Sequence, residues 1–416
     1  MPDPEKQREF AVDVVRRLRD AEFEAYWAGG CVRDQLLGRA PKDYDVATGA
    51  KPPEIQELFG HRRTLAVGAA FGVITVLGRS KAAGQIEVAT FRRDDAYSDG
   101  RHPDSVTFSS AEEDASRRDF TINGLFYDPI QERVIDFVGG REDLRRGVIR
   151  AIGDPHERFA EDKLRMLRAV RFSAAFDFEL EAETLAAVRE MAGRITVVSP
   201  ERIATEMRRI LAEPGRVQAV RLFLETGLAA VLLPEIVSGD ESRRFEHTLT
   251  VLGRLEVPGF PLALAALLIE FVGPDAIDEI GRRWRLSNKE IDRARWLVGN
   301  HAAILDAPSM RWSALQPVLI AEGIDDLLAL NEAMTPGSGP VAHCRRLLEQ
   351  APEALNPRPL LTGDDLLAHG IPAGPHFREL LNRIRAAQLD RQIHTGEEAL
   401  AMADRLWKEG LWKEEK

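Results

Sequence analysis

The strand signal in this 416-residue chain is confined to its N-terminal part. Short runs rich in Val and Ile and bounded by glycines occur at Thr64–Val67, Gly72–Leu77 and Ile86–Phe91, the pattern of short strands, and Tyr26–Trp27, Lys42–Ala47 and Val134–Phe137 also read as strands. From about Asp154 onward apolar residues instead recur at three- and four-residue spacing, the period of helices. The pattern predicts an α+β head followed by an all-helical remainder, and the length calls for more than one domain. No repeat at a fixed period of 20–50 residues is visible.

Within the head, Glu5–Glu22, Val32–Leu37 and Pro52–Leu58 read as helices, and Gly38 ends the second. The polar stretch Arg92–Pro103 reads as a flexible loop. Glu112–Asn123 reads as a helix containing Arg117, Arg118 and Asp119, and Pro155–Phe176 as one long helix. Ser199 and Pro200 supply a helix start. Pro352–Pro359 reads as a linker.

Composition excludes several classes. No window approaches 18 uncharged apolar residues, and the run Phe260–Ile269 is too short to span a bilayer. The charged N-terminus MPDPEKQREF lacks an apolar signal region. Cys31 and Cys344 cannot build a disulfide framework or a cysteine-rich zinc site. A cytoplasmic protein with no membrane association and no obligate protein partner is expected. The net charge of −11 argues against a polyanion partner, but 47 of the 56 basic residues are arginine, the side chain suited to forked phosphate contacts.

Trp27–Thr48, WAGGCVRDQLLGRAPKDYDVAT, carries the first chemical signal. Asp43 and Asp45 stand i, i+2, which on a strand places both carboxylates on one face. Gly29 and Gly30 let backbone approach a phosphate ligand, and Arg33 can reach its oxygens. Mg²⁺ prefers few carboxylates completed by phosphate oxygens and water, which suits this pair. Glu87 is a candidate third carboxylate. Arg118 can grip a triphosphate, and Asp119 or Asn123 can bond a ribose hydroxyl. Asp162, Arg165, Arg168 and Arg171 step by three and predict one slanting ridge on a helix. An aspartate accepts from the exocyclic amine of C or A while an arginine donates to the adjacent ring nitrogen. G and U carry a carbonyl where that amine would be, so a fixed Asp162/Arg165 pair selects C and A.

In order, GGCVRDQLLGRAPKDYDVAT, IEVATFRRD, RRDFTINGLFYDP, DFVGGREDL…IRAIGDPHERFAEDKLRMLRAVRF and VSPERIATEM resemble the five motifs of class II tRNA nucleotidyltransferases. These are the CCA-adding enzymes, their A-only and CC-only relatives, and bacterial poly(A) polymerase. The resemblance is dense over Tyr26–Glu235 and thin beyond. It implies a polymerase-β-like nucleotidyltransferase head, with Asp43 and Asp45 holding Mg²⁺ as the catalytic carboxylates. It implies that Gly30, Arg33, Arg118, Arg168 and Arg171 bind the triphosphate. Asp162 and Arg165 would template the base, supported by Glu161 and Ser199–Glu201. The implied segments are a head at 1–150, a neck at 151–212, a body at 213–350 and a tail at 351–416. The implied partners are CTP, ATP and the acceptor stem and elbow of tRNA.

Two departures bear on specificity. FEHTLTVL, with His247, and LALAALLIEF resemble the first helices of a His-Asp phosphohydrolase domain, but Ile269-Glu270 replaces the His-Asp pair. The region therefore reads as a non-catalytic body in which His247 and His301 are structural or surface residues. The loop Arg92–Pro103 has its full length, and in the family a shortened loop accompanies CC-only addition. The leading expectation is CCA addition or repair on tRNA. A-only addition to tRNA ending in CC and poly(A) polymerase are the alternatives.

Overall fold

A computed structural model describes residues 3–94, 106–237 and 242–410. Contacts divide the chain into two compact units, Met1–Gly239 and Asp240–Lys416. The division falls inside the segment 213–350.

In the first unit, α1 (Pro4–Asp20) opens with Pro4 at its first position, and the Asp3 carboxylate accepts the Glu5 and Lys6 N–H groups. This satisfies two of the donors that a helix start leaves unpaired. Its buried face, Phe10, Val14, Val15 and Leu18, packs on the sheet at β1 (Ala25–Ala28) and β2 (Asp45–Thr48). Between those strands lies α2 (Gly30–Leu36). Then follow α3 (Pro52–Phe59), β3 (Thr64–Gly68), β4 (Val73–Leu77) and β5 (Gln85–Thr90). The antiparallel pair β6 (Arg92–Asp94) and β7 (Val106–Phe108) comes next, and the rest of the expected loop Arg92–Pro103 lies outside the described residues. The head closes with α4 (Ala111–Ser116), β8 (Phe126–Asp128), β9 (Arg133–Ile135), α5 (Gly140–Arg146) and β10 (Val148–Ile149).

The seven-stranded sheet has the order β3-β4-β5-β2-β1-β8-β9, with β2 at its centre. Only β2 and β5 run parallel, pairing Asp45 with Glu87 and Thr48 with Thr90. Alternation along β1 sends Tyr26 and Ala28 into a cluster with Ala47, Phe91, Ala115 and Phe126. Trp27, on the opposite side, stacks obliquely near Tyr44 and Tyr127.

The remainder of this unit is almost wholly helical: α6 (Pro155–Glu161), α7 (Leu164–Phe176), α8 (Ala182–Met191), α9 (Pro200–Ala212), α10 (Arg216–Glu225) and α11 (Leu228–Leu232). The exception is β11 (Glu179–Leu180), which pairs in parallel with β10. Three expectations need correction. Pro155–Phe176 is two helices, because Asp162 adopts extended backbone (φ −143°, ψ 105°) and its carboxylate accepts the Leu164 N–H. Glu112–Asn123 is α4 plus a 3₁₀ turn at Thr121–Asn123, so Arg117–Asp119 lie on the link between them. The strand expected from Lys42 begins at Asp45, leaving Asp43 in the preceding bend.

The second unit is helical throughout its described residues. It comprises α12 (Ser242–Arg254), α13 (Phe260–Leu268), α14 (Pro274–Arg283), α15 (Asn288–Asp306), α16 (Trp312–Leu319), α17 (Ile324–Met334) and α18 (Gly339–Leu348). It continues with α19 (Pro352–Leu355), α20 (Gly363–Ala368), α21 (His376–Leu389) and α22 (Gly396–Lys408). The expected linker Pro352–Pro359 therefore contains one helical turn. The last three helices share their own apolar cluster around Leu366, Leu380, Ile384 and Ala403. His247 Nδ1 lies 3.1 Å from Glu270 Oε1, and His301 Nδ1 lies 2.9 Å from the Val298 carbonyl. Among the described residues no helix is long and apolar enough to cross a membrane.

Candidate active site

A cleft of about 500 Å³ in the first unit collects most of the residues singled out from the sequence. Gly29, Gly30, Arg33 and Asp45 reach it from the sheet and α2; Arg118, Asp119 and Asn123 reach it from the link after α4. Asp162, Arg165, Arg168 and Arg171 come from the α6–α7 junction and α7. Asp43, Glu87 and Glu161 do not line it.

Gly29 shows why the glycine pair stands where it does. Its φ is +73°, and a Cβ there would lie 2.8 Å from Arg118 Nη1. Any side chain would strain the backbone and displace an arginine of the cleft.

The charged groups form a connected network. Arg33 Nη1 donates to Asn123 Oδ1 at 2.7 Å, while its Nε and Nη2 donate to Asp34. Its guanidinium also lies 4.5 Å from the Phe176 ring centre. Asn123 Nδ2 donates to Asp119 Oδ1 at 3.0 Å, and Arg168 donates to Asp119 Oδ2 from Nε and Nη2 at 2.9 and 2.6 Å. Burial alone would raise the Asp119 carboxyl pKa. The charge of Arg168, the Asn123 and Arg168 hydrogen bonds and the charge of Arg165 outweigh it and bring the value down to about 2. Arg171 Nε donates to Glu206 Oε2 at 2.7 Å, and Glu206 Oε1 stands 3.8 Å from Arg168 and 3.7 Å from Arg209.

The pair expected to read the base, Asp162 and Arg165, is held from both sides. Asp162 accepts both terminal nitrogens of Arg202, at 3.1 and 2.7 Å. Arg165 Nη1 donates to Glu161 Oε2 and to the Arg158 carbonyl, and Nη2 donates to the Arg117 carbonyl. Arg165, Arg168 and Arg171 share α7, but Asp162 stands at the joint before it. The expected single-helix ridge is thus an arginine ladder with its aspartate set off on extended backbone.

Several residues of the site were not singled out from sequence. Arg117, Phe172 and Arg209 line the cleft, and Asp114, Arg202 and Glu206 hold its charged groups. Some signal existed. Arg202 and Glu206 stand i, i+4 within VSPERIATEM, and Asp114 stands three and four residues before Arg117 and Arg118, the spacings of helical neighbours.

The carboxylates suit a divalent cation. Asp45 is open to the cleft, yet its pKa is raised to about 6, first by desolvation and then by the charges of Asp43 and Glu87. Among the described residues, the side chains of Asp43, Asp45 and Glu87 have no hydrogen bond or ion pair. The charge of Arg118 opposes the rise at Asp45 without reversing it, and the excess of negative charge that remains fits a metal. No three His, Cys, Asp or Glu side chains among the described residues converge as a ready-made metal set, so phosphate oxygens and water would complete the coordination.

Residues 25–150 match the family described as Poly A polymerase head domain, and residues 177–239 match that described as Probable RNA and SrmB-binding site of polymerase A. Together with the mixed sheet, that match sets the class: the chain is a nucleotidyltransferase, and enzymes of this class use a divalent metal. Relatives narrow the class. The CCA-adding enzyme of Geobacillus stearothermophilus is 34% identical over 403 residues, covering 94% of this chain and 95% of its own. That of Enterococcus faecalis is 45% identical over 217 residues, 52% of each chain. A crystal structure of the Bacillus stearothermophilus CCA-adding enzyme in complex with CTP has a TM-score of 0.76, with 30% identity and 99% of both chains covered. The Thermotoga maritima CCA-adding enzyme complexed with tRNA_CCA shares the fold, at a TM-score of 0.66 and 23% identity over 95% of this chain and 94% of its own. This chain belongs to the CCA-adding enzyme family.

Proposed function

We propose that this enzyme adds or repairs the 3′-terminal CCA of tRNA from CTP and ATP, without a nucleic acid template. The observation that carries the reading is the convergence, on one cleft, of an acidic strand end, a cationic wall and an Asp/Arg pair able to read C and A. Its setting is a chain similar along 94% of its length to a CCA-adding enzyme.

Each group then has a role. Arg33, Arg118, Arg168 and Arg171 bind the triphosphate, with Gly29 and Gly30 admitting it closely; Arg is suited to this because its fork engages two oxygens at once. Asp119 and Asn123 orient Arg168 and Arg33 and offer hydrogen bonds to the ribose. Asp162 accepts from the exocyclic amine of C or A and Arg165 donates to the ring nitrogen, while Arg202 and Glu161 fix their spacing. Asp43 and Asp45 hold Mg²⁺, with Glu87 beside Asp45 in register as a further carboxylate. Bound Mg²⁺ would activate the RNA 3′-hydroxyl and stabilise charge on the α-phosphate and the departing pyrophosphate. The protein aligns the hydroxyl with the α-phosphate and needs no covalent nucleophile.

The segments 1–150, 151–212, 213–350 and 351–416 serve as catalytic head, base-reading neck, body and tRNA-binding tail, with the acceptor stem and elbow of tRNA along the last two. The enzyme acts in the cytosol, a reading supported by two cysteines that are both free and buried. The test is single-nucleotide extension of tRNA transcripts. Incorporation of CTP, CTP and then ATP supports the reading, and extension by UTP or GTP at comparable rates refutes it.

A further inference from the structure

Asp114 does not line the cleft, yet its side chain is 1% exposed and collects two guanidinium groups and a backbone N–H. Arg117 donates to Oδ1 from Nε and Nη2 at 2.9 and 2.7 Å. Arg118 donates to Oδ2 from Nε and Nη2 at 3.3 and 3.0 Å. The Arg92 N–H donates to Oδ1 at 3.4 Å. Burial would raise this carboxyl, but the charges and hydrogen bonds of Arg118 and Arg117 hold it below the usual carboxylate range.

The two guanidinium partners lead to different parts of the cleft. Arg118 is on the phosphate side, and its Nη1 reaches the Asn123 carbonyl at 3.4 Å. The Arg117 carbonyl accepts from Arg165 Nη2 at 3.4 Å and from Arg158 Nη1 at 3.2 Å. Arg158 in turn donates to Glu161, the acceptor that Arg165 also uses. One of the three acceptors of Arg165 is therefore backbone whose own side chain is held by Asp114.

We propose that Asp114 is a positioning residue that fixes the spacing between the phosphate-side Arg118 and the base-side Arg165, so that nucleotide selection depends on a carboxylate that touches no nucleotide. This rests on the reading of Asp162 and Arg165 as the base-selecting pair. The chemistry requires a carboxylate. Its two oxygens accept from two guanidinium groups at once, whereas an amide accepts at one atom and turns a donor toward the other arginine. Asp114→Asn thus loosens Arg117 or Arg118, and with Arg117 a carbonyl that Arg165 bonds. Asp114→Glu keeps the charge but shifts it by one methylene.

The experiment compares the full-length wild type, D114N, D114E and R165A. It measures kcat and KM separately for CTP on tRNA transcripts ending at the discriminator base and for ATP on transcripts ending in CC. UTP and GTP incorporation, tRNA binding and thermal melting are followed in parallel. In D114N we expect KM for CTP and ATP to rise about tenfold, the scale of one charge-assisted hydrogen bond. UTP and GTP incorporation should rise toward the R165A level, tRNA affinity should hold, and D114E should fall between. A folded D114N with wild-type selectivity overturns the inference, whatever its rate; if D114N does not fold, wild-type selectivity in D114E overturns it. The comparison also separates the two ideas. If R165A keeps wild-type selection, the base-pair reading fails and takes this inference with it. If R165A relaxes selection and the Asp114 variants do not, only this inference fails.

Discussion

Replacing Asp119 by Asn tests the charged network at its centre. Asp119 joins Arg168 to the Asn123–Arg33 pair, so one carboxylate ties α7 to the glycine turn. Its pKa stands at about 2 against an ordinary 3.8. At about 1.4 kcal/mol per unit, the ionised form gains roughly 2–3 kcal/mol from its surroundings. The sign follows from the direction of the shift. A depressed folded-state value stabilises the fold fully above the unfolded-state pKa, and the contribution is lost as pH falls from about 4 toward 2. Asp119→Asn keeps the shape and removes the charge. Urea unfolding of the unit containing Asp119 should show a loss of about 2–3 kcal/mol at pH 7. The gap should stay constant down to about pH 5 and narrow only below about pH 4. Nucleotide kcat/KM should fall at least about tenfold for CTP and ATP alike, because Arg168 loses its anchor. A variant within about 0.5 kcal/mol of wild type at pH 7, or a gap already closing near pH 6, would refute the reasoning.

Two further outcomes follow from the same geometry. Asp43→Ala and Asp45→Ala should each abolish nucleotide incorporation while leaving tRNA binding within a few fold, measured by filter binding; normal turnover in either would sink the metal assignment. Arg165→Ala should raise UTP and GTP incorporation more than it weakens tRNA binding, and unchanged nucleotide choice would show that the base is read elsewhere.

The head, the helical remainder and five of the cleft's seven arginines were legible in the sequence because they sit in short, locally patterned stretches. β3, β4 and β5 match the Val- and Ile-rich runs between glycines, and α9 begins at Pro200 as the proline favours, although the Ser199 side chain makes no capping hydrogen bond. What escaped was set by atoms distant along the chain. The break at Asp162 interrupts no apolar period; its carboxylate accepts the Leu164 N–H and is also held by Arg202 on another helix, forty residues away. Asp43 fits the strand alternation but lies before the first paired residue of β2. Glu206, 3% exposed, looks on paper like an ordinary surface acid of an amphipathic helix. Only the fold shows that its helix faces Arg171.

Primer extension on three tRNA transcripts, ending at the discriminator base, at C and at CC, tests the central claim most directly. With CTP and ATP supplied singly and together, the account predicts CTP addition to the first two, ATP addition to the third, and termination after the A. Extension only of the CC transcript by ATP would contradict CCA addition in favour of A-only addition, and long A tracts on unstructured RNA would contradict it in favour of poly(A) synthesis.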